Sequence, residues 1–331
     1  TAEIRQIDSP EPGEIIDADR GTRLAYPSRM TQPRLVIAGE TLMITRRTLR
    51  RHHLFRPDAA IRQLYLYTLA VCARKFGILV HAVTLMSTHE HLIVTDPEGR
   101  YPDFLAQLHR LVSMGTKTLR KWEGPTWDPE QSSVVRLLNE QAVIDKLAYV
   151  MANPVKAGLV RHARDWPGVT VLPNELGRRM WSVKRPDAYY DAKNQNWPKA
   201  AELALTLPPA LRRVYSPQAV RAAVLEELTH QERQAHAEIK ERGWRFLGAK
   251  RILGLSPYRR ATSVELLRKR NPTFAVGRGK GKAFVRAASE LRAFRRAYRQ
   301  ALVQWRAGFR DVVFPRGTWC MCRAHSAAVE S

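Results

Sequence analysis

Between residues 40 and 160 the spacing of hydrophobic positions changes several times, and each change predicts an element. Pro57-Asp58 sets a helix start, Ile61, Leu64, Tyr65, Leu69 and the run 71–76 supply apolar spacing, and Gly77 stops it. Residues 78–86 are apolar and β-branched, and after Ser87-Thr88 the run 89–95 resumes until Asp96-Pro97-Glu98-Gly99 breaks it. This predicts a strand pair, or one long strand bent at Ser87. Upstream, residues 42–54 read as a long basic strand or hairpin arm carrying Arg46, Arg47, Arg50 and Arg51. Downstream, a helix is predicted over about 101–122, a strand over about 134–138 and a helix from about 141. The order β-α-β-β-α-β-α belongs to an α+β fold, an antiparallel sheet flanked by helices, rather than a doubly wound parallel sheet.

Further along, the pattern becomes helical and basic. Helices are predicted over about 217–242, 262–270 and 283–305, the last with arginine at 286, 292, 295, 296 and 299. Between the two parts, residues 169–209 hold five prolines and no sustained period, which reads as a connection. The expected organisation is an N-terminal extension (1–29), a compact domain (30–168), a connecting region (169–210) and a basic, mainly helical region (211–331).

Charge sharpens this division. The 331 residues carry 55 Lys and Arg against 31 Asp and Glu, a formal net charge of +24. Residues 211–331 hold 26 of the basic and 9 of the acidic side chains. So large a surplus favours a polyanionic partner, nucleic acid before an acidic membrane surface. The longest apolar stretch, 64–86, is interrupted by Arg74-Lys75 and cannot supply the roughly 20 apolar residues of a membrane span. No secretory leader opens the sequence, and the three cysteines Cys72, Cys320 and Cys322 make no disulfide framework, so a soluble, cytoplasmic protein in a reducing compartment is expected.

Three residues of the first part are candidates for chemistry. On a strand, side chains at i and i+2 share a face, so His89 and His91 are placed to meet one metal ion. On the helix from 141, Val143, Leu147, Val150 and Met151 gather on one side, while Asp145, Tyr149 and Asn153 fall on another at i, i+4 and i+8. Each has a plainer reading. Two strand histidines serve equally as surface or half-buried residues, Tyr149 can lie over a neighbour, and Asn153-Pro154 can cap a new short helix over 155–159.

The run Ser87-Thr88-His89-Glu90-His91-Leu92-Ile93-Val94, followed by Tyr149-Val150-Met151-Ala152-Asn153-Pro154-Val155-Lys156-Ala157-Gly158-Leu159-Val160, resembles the REP-associated tyrosine transposases, of the single-tyrosine branch of HUH endonucleases. The resemblance covers about residues 30–167, including Asp165-Trp166-Pro167. It implies that His89 and His91 hold a divalent metal, magnesium or manganese, and that Tyr149 attacks single-stranded or hairpin DNA. It also implies that Asn153 is the third ligand or its organiser, and that the protein acts beside the bacterial nucleoid. Attack would leave a 5′-phosphotyrosine link and a free 3′-hydroxyl. The basic residues expected to meet DNA are Arg46, Arg47, Arg50, Lys117, Arg120, Lys121, Lys156, Arg278, Lys280 and Lys282.

The chain departs from the family at Glu90, which stands where a core-facing hydrophobic residue is usual. A buried carboxylate is unfavourable without a partner. Three readings follow: a basic residue of a flanking helix satisfies it, or the strand is irregular and Glu90 itself reaches the site, or the site has decayed and DNA binding alone remains. The last defines the alternative function, a domesticated DNA-binding protein that retains the fold without cleavage. In the second part, the segment 277–282 reads as a basic loop able to follow a phosphate backbone. It is no nucleotide P-loop, because Ala283 stands where Ser or Thr is needed. Cys320, Cys322 and His325 form a C-x-C-x-x-H cluster that with a fourth ligand would hold zinc, or else a reduced tail, and the neighbouring 314–319 is expected to pack on a core.

Overall fold

A computed structural model describes residues 32–262, 272–277 and 281–330. The expected N-terminal extension, most of the helix over 262–270, and Arg278 and Lys280 lie outside these residues. The chain divides into two compact units, Val36–Arg292 and a second that includes 293–330.

The first unit has a mixed α+β architecture, a central sheet flanked by helices. Its leading elements follow the order expected from the sequence: β1 (Glu40–Arg47), α1 (Ala59–Phe76), β2 (Leu79–Leu85), β3 (His89–Asp96), α2 (Tyr101–Arg120), β4 (Ser133–Leu137) and α3 (Glu140–Lys156). The strand pair reading holds, with β2 and β3 antiparallel neighbours. β1 pairs antiparallel with both β3 and β4. The sheet, ordered β2-β3-β1-β4-β7, is not wholly antiparallel, because the two-residue strand β7 (Phe274–Ala275) joins β4 in parallel. The expected basic strand over 42–54 stops at Arg47. Arg50 and Arg51 adopt positive φ of 46° and 57°, incompatible with a continuing ladder, and residues 49–51 make a single tight turn.

Helix ends are fixed by identifiable side chains. Asp58 caps α1 by accepting from the Ile61 amide, and Gly77 closes it with a left-handed φ of 67°. Asp96, fully buried, accepts from the Arg100 and Tyr101 amides, so the carboxylate that ends β3 also starts α2. Asn139 caps α3 through the Ala142 amide. The expected break at Asn153-Pro154 does not occur. α3 runs on to Lys156 with Pro154 inside it, so Asn153 is helical rather than the cap of a new helix. Proline falls in the last turn, where the amide it lacks removes one bond shortly before the helix ends.

Residues 169–210, expected to connect, also pack. The hairpin of β5 (Met180–Lys184) and β6 (Ala200–Ala204) lies against α1, where Tyr67 Oη donates to the Pro198 carbonyl at 2.8 Å, and Leu205 and Leu207 are buried. After the short α4 (Pro209–Arg212), α5 (Pro217–Glu241) packs on α3, and its buried side chains include Val220, Val224, Leu228, Ala235 and Ile239. α6 (Ala249–Leu253) follows. α7 (Gly281–Arg306) passes from the first unit into the second. There Ala301, Met321 and Ala327 enclose Phe314, as expected of the segment over 314–319, and α8 spans Cys320–His325. Among the described residues no helix is long and apolar enough to cross a membrane.

Asp58 links cap and electrostatics. Burial works to raise its carboxyl, but hydrogen bonds from Arg120 at 2.6 Å, the Ile61 amide and Arg56 at 2.9 Å, with the Arg120 charge, hold it below the ordinary 3.8. A depressed folded pKa gives stability above the unfolded value and loses it as pH falls through the folded one. Asp58→Ala should therefore cost about 1–2 kcal/mol at pH 7. The gap to wild type, read from urea midpoints, should narrow steadily below about pH 4.

Candidate active site

The two faces of β3 do different things. His89 and His91 face α3, while Glu90 faces α1 and α2, as strand alternation dictates. Glu90 has no exposed surface. Tyr65 Oη of α1 donates to its Oε2 at 2.7 Å, and His109 Nε2 of α2 donates to its Oε1. Arg46, paired with Glu90 across β1 and β3, donates from Nη1 to His109 Nδ1 at 2.8 Å. Since an arginine only donates, His109 Nδ1 accepts and the ring proton sits on Nε2, directed at Glu90. Trp127 Nε1 donates to the His109 carbonyl at 2.8 Å, and the Arg46 guanidinium lies 5.1 Å from the Trp127 ring centroid. The carboxylate is thus satisfied from flanking helices, as in the first of the three readings, but by a phenol and an uncharged imidazole rather than by a basic residue, and it does not reach the histidine face. Its neighbourhood, with burial the larger cause, pushes the Tyr65 phenol well above 10.

On the other face, the ring centroids of His89 and His91 are 4.7 Å apart at 89°. His89 Nε2 lies 3.2 Å from Asn153 Oδ1 of α3. Thr88 Oγ1 is 2.9 Å from His89 Nδ1, and Thr45 Oγ1, opposite His91 in the β1–β3 register, is 2.8 Å from His91 Nδ1. His91 Nε2 is buried with no hydrogen-bond partner of ordinary geometry. Burial, against an opposing bond from Asn153, and with Arg47 and Arg51 adding to it, pushes His89 down to about 4. Burial, then His89 and Arg47, hold His91 well below the usual imidazole range. Both rings are neutral at pH 7. Asn153 Oδ1 can only accept, so as the chain stands the His89 proton sits on Nε2. His91, giving Nδ1–H to Thr45, has a bare Nε2 lone pair, and His89 would offer its own once the proton moves to Nδ1, toward Thr88.

Tyr149, one helical turn before Asn153, stands with its ring 5.8 Å from that of His91. The Lys146 and Lys156 ammonium groups lie 5.2 and 4.9 Å from its ring centroid. Two imidazoles, a carboxamide oxygen and a phenol flanked by cations therefore share one side of the sheet. The donors fit a divalent cation that retains open positions, and the orphaned His91 Nε2 is an atom such an ion would satisfy. Among the described residues no group of three or more His, Cys, Asp and Glu side chains is placed to hold a metal. Cys320 and Cys322, exposed and two residues apart on α8, point about 200° apart around the helix, so they and His325 do not close on one centre.

The basic residues expected to meet DNA separate into groups. Arg47 is exposed and pairs in register with His89, and Arg50 is exposed in the adjoining turn. Lys121 is exposed just past α2, Lys117 is half-buried in its last turn, and Lys282 is exposed in the first turn of α7. Arg46 is turned toward His109, and Arg120 is buried, donating to the Leu54 and Arg56 carbonyls at 3.1 Å. Sequence reasoning missed Thr45, Tyr65, His109 and Lys146. Their positions follow from strand register and helix packing, and only Thr88, beside His89, had a local signal.

No protein-family model matches the chain, and no curated protein matches it. Among solved structures, a REP-associated tyrosine transposase bound to a REP hairpin is 18% identical, covering 50% of this chain and 94% of that one, with a TM-score of 0.39. A protein described as a transposase from Deinococcus radiodurans R1 is 19% identical, covering 37% and 95%, with a TM-score of 0.27. These are distant likenesses and say nothing about activity.

Glu90 gives the site its most exposed structural dependence. Glu90→Gln leaves one amide oxygen to serve two donors and turns an amide N–H group toward one of them. The expected loss is roughly 3–5 kcal/mol in urea denaturation; a loss below about 1 kcal/mol would mean the network does not hold β3.

Proposed function

We propose that the protein is a metal-dependent single-strand DNA endonuclease and strand transferase that cuts beside hairpin-forming repeats, with Tyr149 as nucleophile. The observation that carries this reading is the convergence of His89, His91, Asn153 and Tyr149 from one strand and one helix. The resemblance of the two motifs to REP-associated tyrosine transposases supports it, as does the positive surplus.

His89 Nε2, His91 Nε2 and Asn153 Oδ1 would hold the ion. Bound there, a divalent cation polarises the scissile phosphate and stabilises charge developing on it. Lys146 and Lys156 draw the phosphate over the Tyr149 ring. The Tyr149 oxygen forms a bond to phosphorus as the bond from phosphorus to the 3′-oxygen breaks. The phenolic proton departs to solvent, and the 3′-oxygen takes up a proton. The resulting 5′-phosphotyrosine keeps the ester-bond energy, so a later 3′-hydroxyl rejoins the strand without ATP. With Glu90 committed to the far face, the ligand set carries no charge. Neutral imidazole donors suit manganese better than magnesium, which prefers oxygen ligands.

The direct test is incubation of a labelled hairpin oligonucleotide with protein and metal, followed by denaturing electrophoresis. Tyr149→Phe should bind DNA like wild type and form no covalent adduct; an adduct in that variant would place the nucleophile elsewhere. His89→Ala and His91→Ala should each abolish cleavage and lower manganese affinity by about tenfold or more in calorimetric titration. Circular dichroism should show the fold retained, with the thermal midpoint falling more for the buried His91 than for His89. Chelator should stop the reaction and manganese restore it more fully than magnesium; undiminished cleavage in chelator would remove the metal from the account.

A further inference from the structure

Beyond the end of α3, on the side lined by α5 and α6, lies an open cleft of about 920 Å³. Its walls carry Arg161, Lys240 and Arg245 against a single carboxylate, Asp165, and three rings, His236, Trp244 and Phe246. Trp244 is 55% exposed, an unusual condition for so large an apolar ring. Its backbone is nevertheless held in place, and the Arg242 guanidinium lies 5.1 Å from its ring centroid. α5 ends at Glu241, Gly243 takes a left-handed φ of 64°, and the Trp244 amide returns to the Ile239 carbonyl at 2.9 Å, closing the helix end. The Leu247 and Gly248 amides then donate to the Gly158 and Leu159 carbonyls at 3.0 and 2.8 Å, tying the segment to the end of the tyrosine helix. A second ring of the cleft is braced by its neighbours. Phe246 lies 5.3 Å from His236 and 5.6 Å from the Arg161 guanidinium, and His236 Nε2 donates to the Arg161 carbonyl at 2.6 Å.

Rings carried on a fixed backbone and set among cations describe a surface for a polyanion that carries flat apolar faces. Exposed arginines alone would fit any anion, and an exposed tryptophan alone would fit any apolar partner; their combination fits unpaired nucleotides, whose bases stack while their phosphates meet Lys240 and Arg245. We propose that this cleft is a stacking subsite for single-stranded DNA, in which Trp244 receives one unpaired base of the strand that runs on from the Tyr149 site. Lys156 makes the connection. It covers the Tyr149 ring on one side and stands in the field of Glu238 of α5, two residues before Lys240. A strand leaving the phenol thus meets α5 next. The subsite rests on the reading of the chain as a single-strand DNA enzyme and adds where the flanking strand is held.

The test uses the full chain and fluorescein-labelled hairpin DNA with a single-stranded flank, followed by anisotropy. Trp244→Ala should weaken binding roughly tenfold, the usual effect of removing one stacking ring, and Trp244→Phe should recover part of it. In wild type, replacing the flank nucleotides one at a time by abasic sites should reveal one position with a comparable loss. In Trp244→Ala that position should become silent, because base and ring report the same contact. Circular dichroism should be unchanged, since the ring is exposed. If Trp244→Ala binds as wild type does, or the abasic penalty persists in it undiminished, the subsite is overturned, while a Tyr149 adduct in the same samples would leave the proposed activity standing. If wild-type protein binds no single-stranded flank and forms no adduct, the activity and the subsite fall together.

Discussion

A carboxylate with none of its surface in water organises this protein. Glu90 sits between the two histidines of β3, and because side chains alternate across a strand, fixing it on one face fixes His89 and His91 on the other. Tyr65 comes from α1 and His109 from α2 to meet at this one side chain, and Arg46 of β1 holds His109 from its other nitrogen. The network resists slippage of β3 by one residue, which would turn the carboxylate toward α3 and the imidazoles into the helices behind. It also keeps a negative charge out of the histidine face, leaving there a neutral set of nitrogen and amide donors beside a phenol.

Much of the fold was legible because its signals are local. Asp58, Gly77 and the Asp96-Pro97-Glu98-Gly99 break mark their elements through caps and turns that depend on a few neighbouring residues. The pairing of His89 with His91 followed from strand period alone, and the place of Tyr149 off the apolar side of α3 from helical period. What failed was equally physical. Asn153-Pro154 carries a cap pattern, yet the helix continues through it because packing on α5 supports the last turn. Arg50 and Arg51 look compatible with a strand but adopt left-handed φ, which no propensity announces for arginine. Arg120, basic and near a helix end, resembles a surface residue until Asp58 and two carbonyls draw it inward. The donors to Glu90 lie 25 and 19 residues away in sequence, beyond any local pattern.

Charge gives a different kind of information. A net +24 speaks of a polyanion without saying where it binds. Geometry distributes the cations: Arg46 and Arg120 stabilise the interior, Arg47 and Arg50 rim the histidine strand, and Lys146 and Lys156 flank the phenol. Arg161, Lys240 and Arg245 line a cleft with aromatic walls beyond the same helix. The tyrosine helix therefore connects two surfaces of like charge, one beside the phenol and the other with aromatic walls.

The claim on which the account turns is that the histidine face of β3, with Asn153, is a cation site made possible by the burial of Glu90. Crystals grown with manganese and measured for anomalous scattering test it most directly. The account predicts one anomalous peak at coordination distance from both Nε2 atoms, His89 and His91, with Asn153 Oδ1 beside it and Glu90 still bonded to Tyr65 and His109. A manganese-soaked crystal with no peak between the two imidazoles, or with Glu90 turned out of its network to reach the metal, would contradict it.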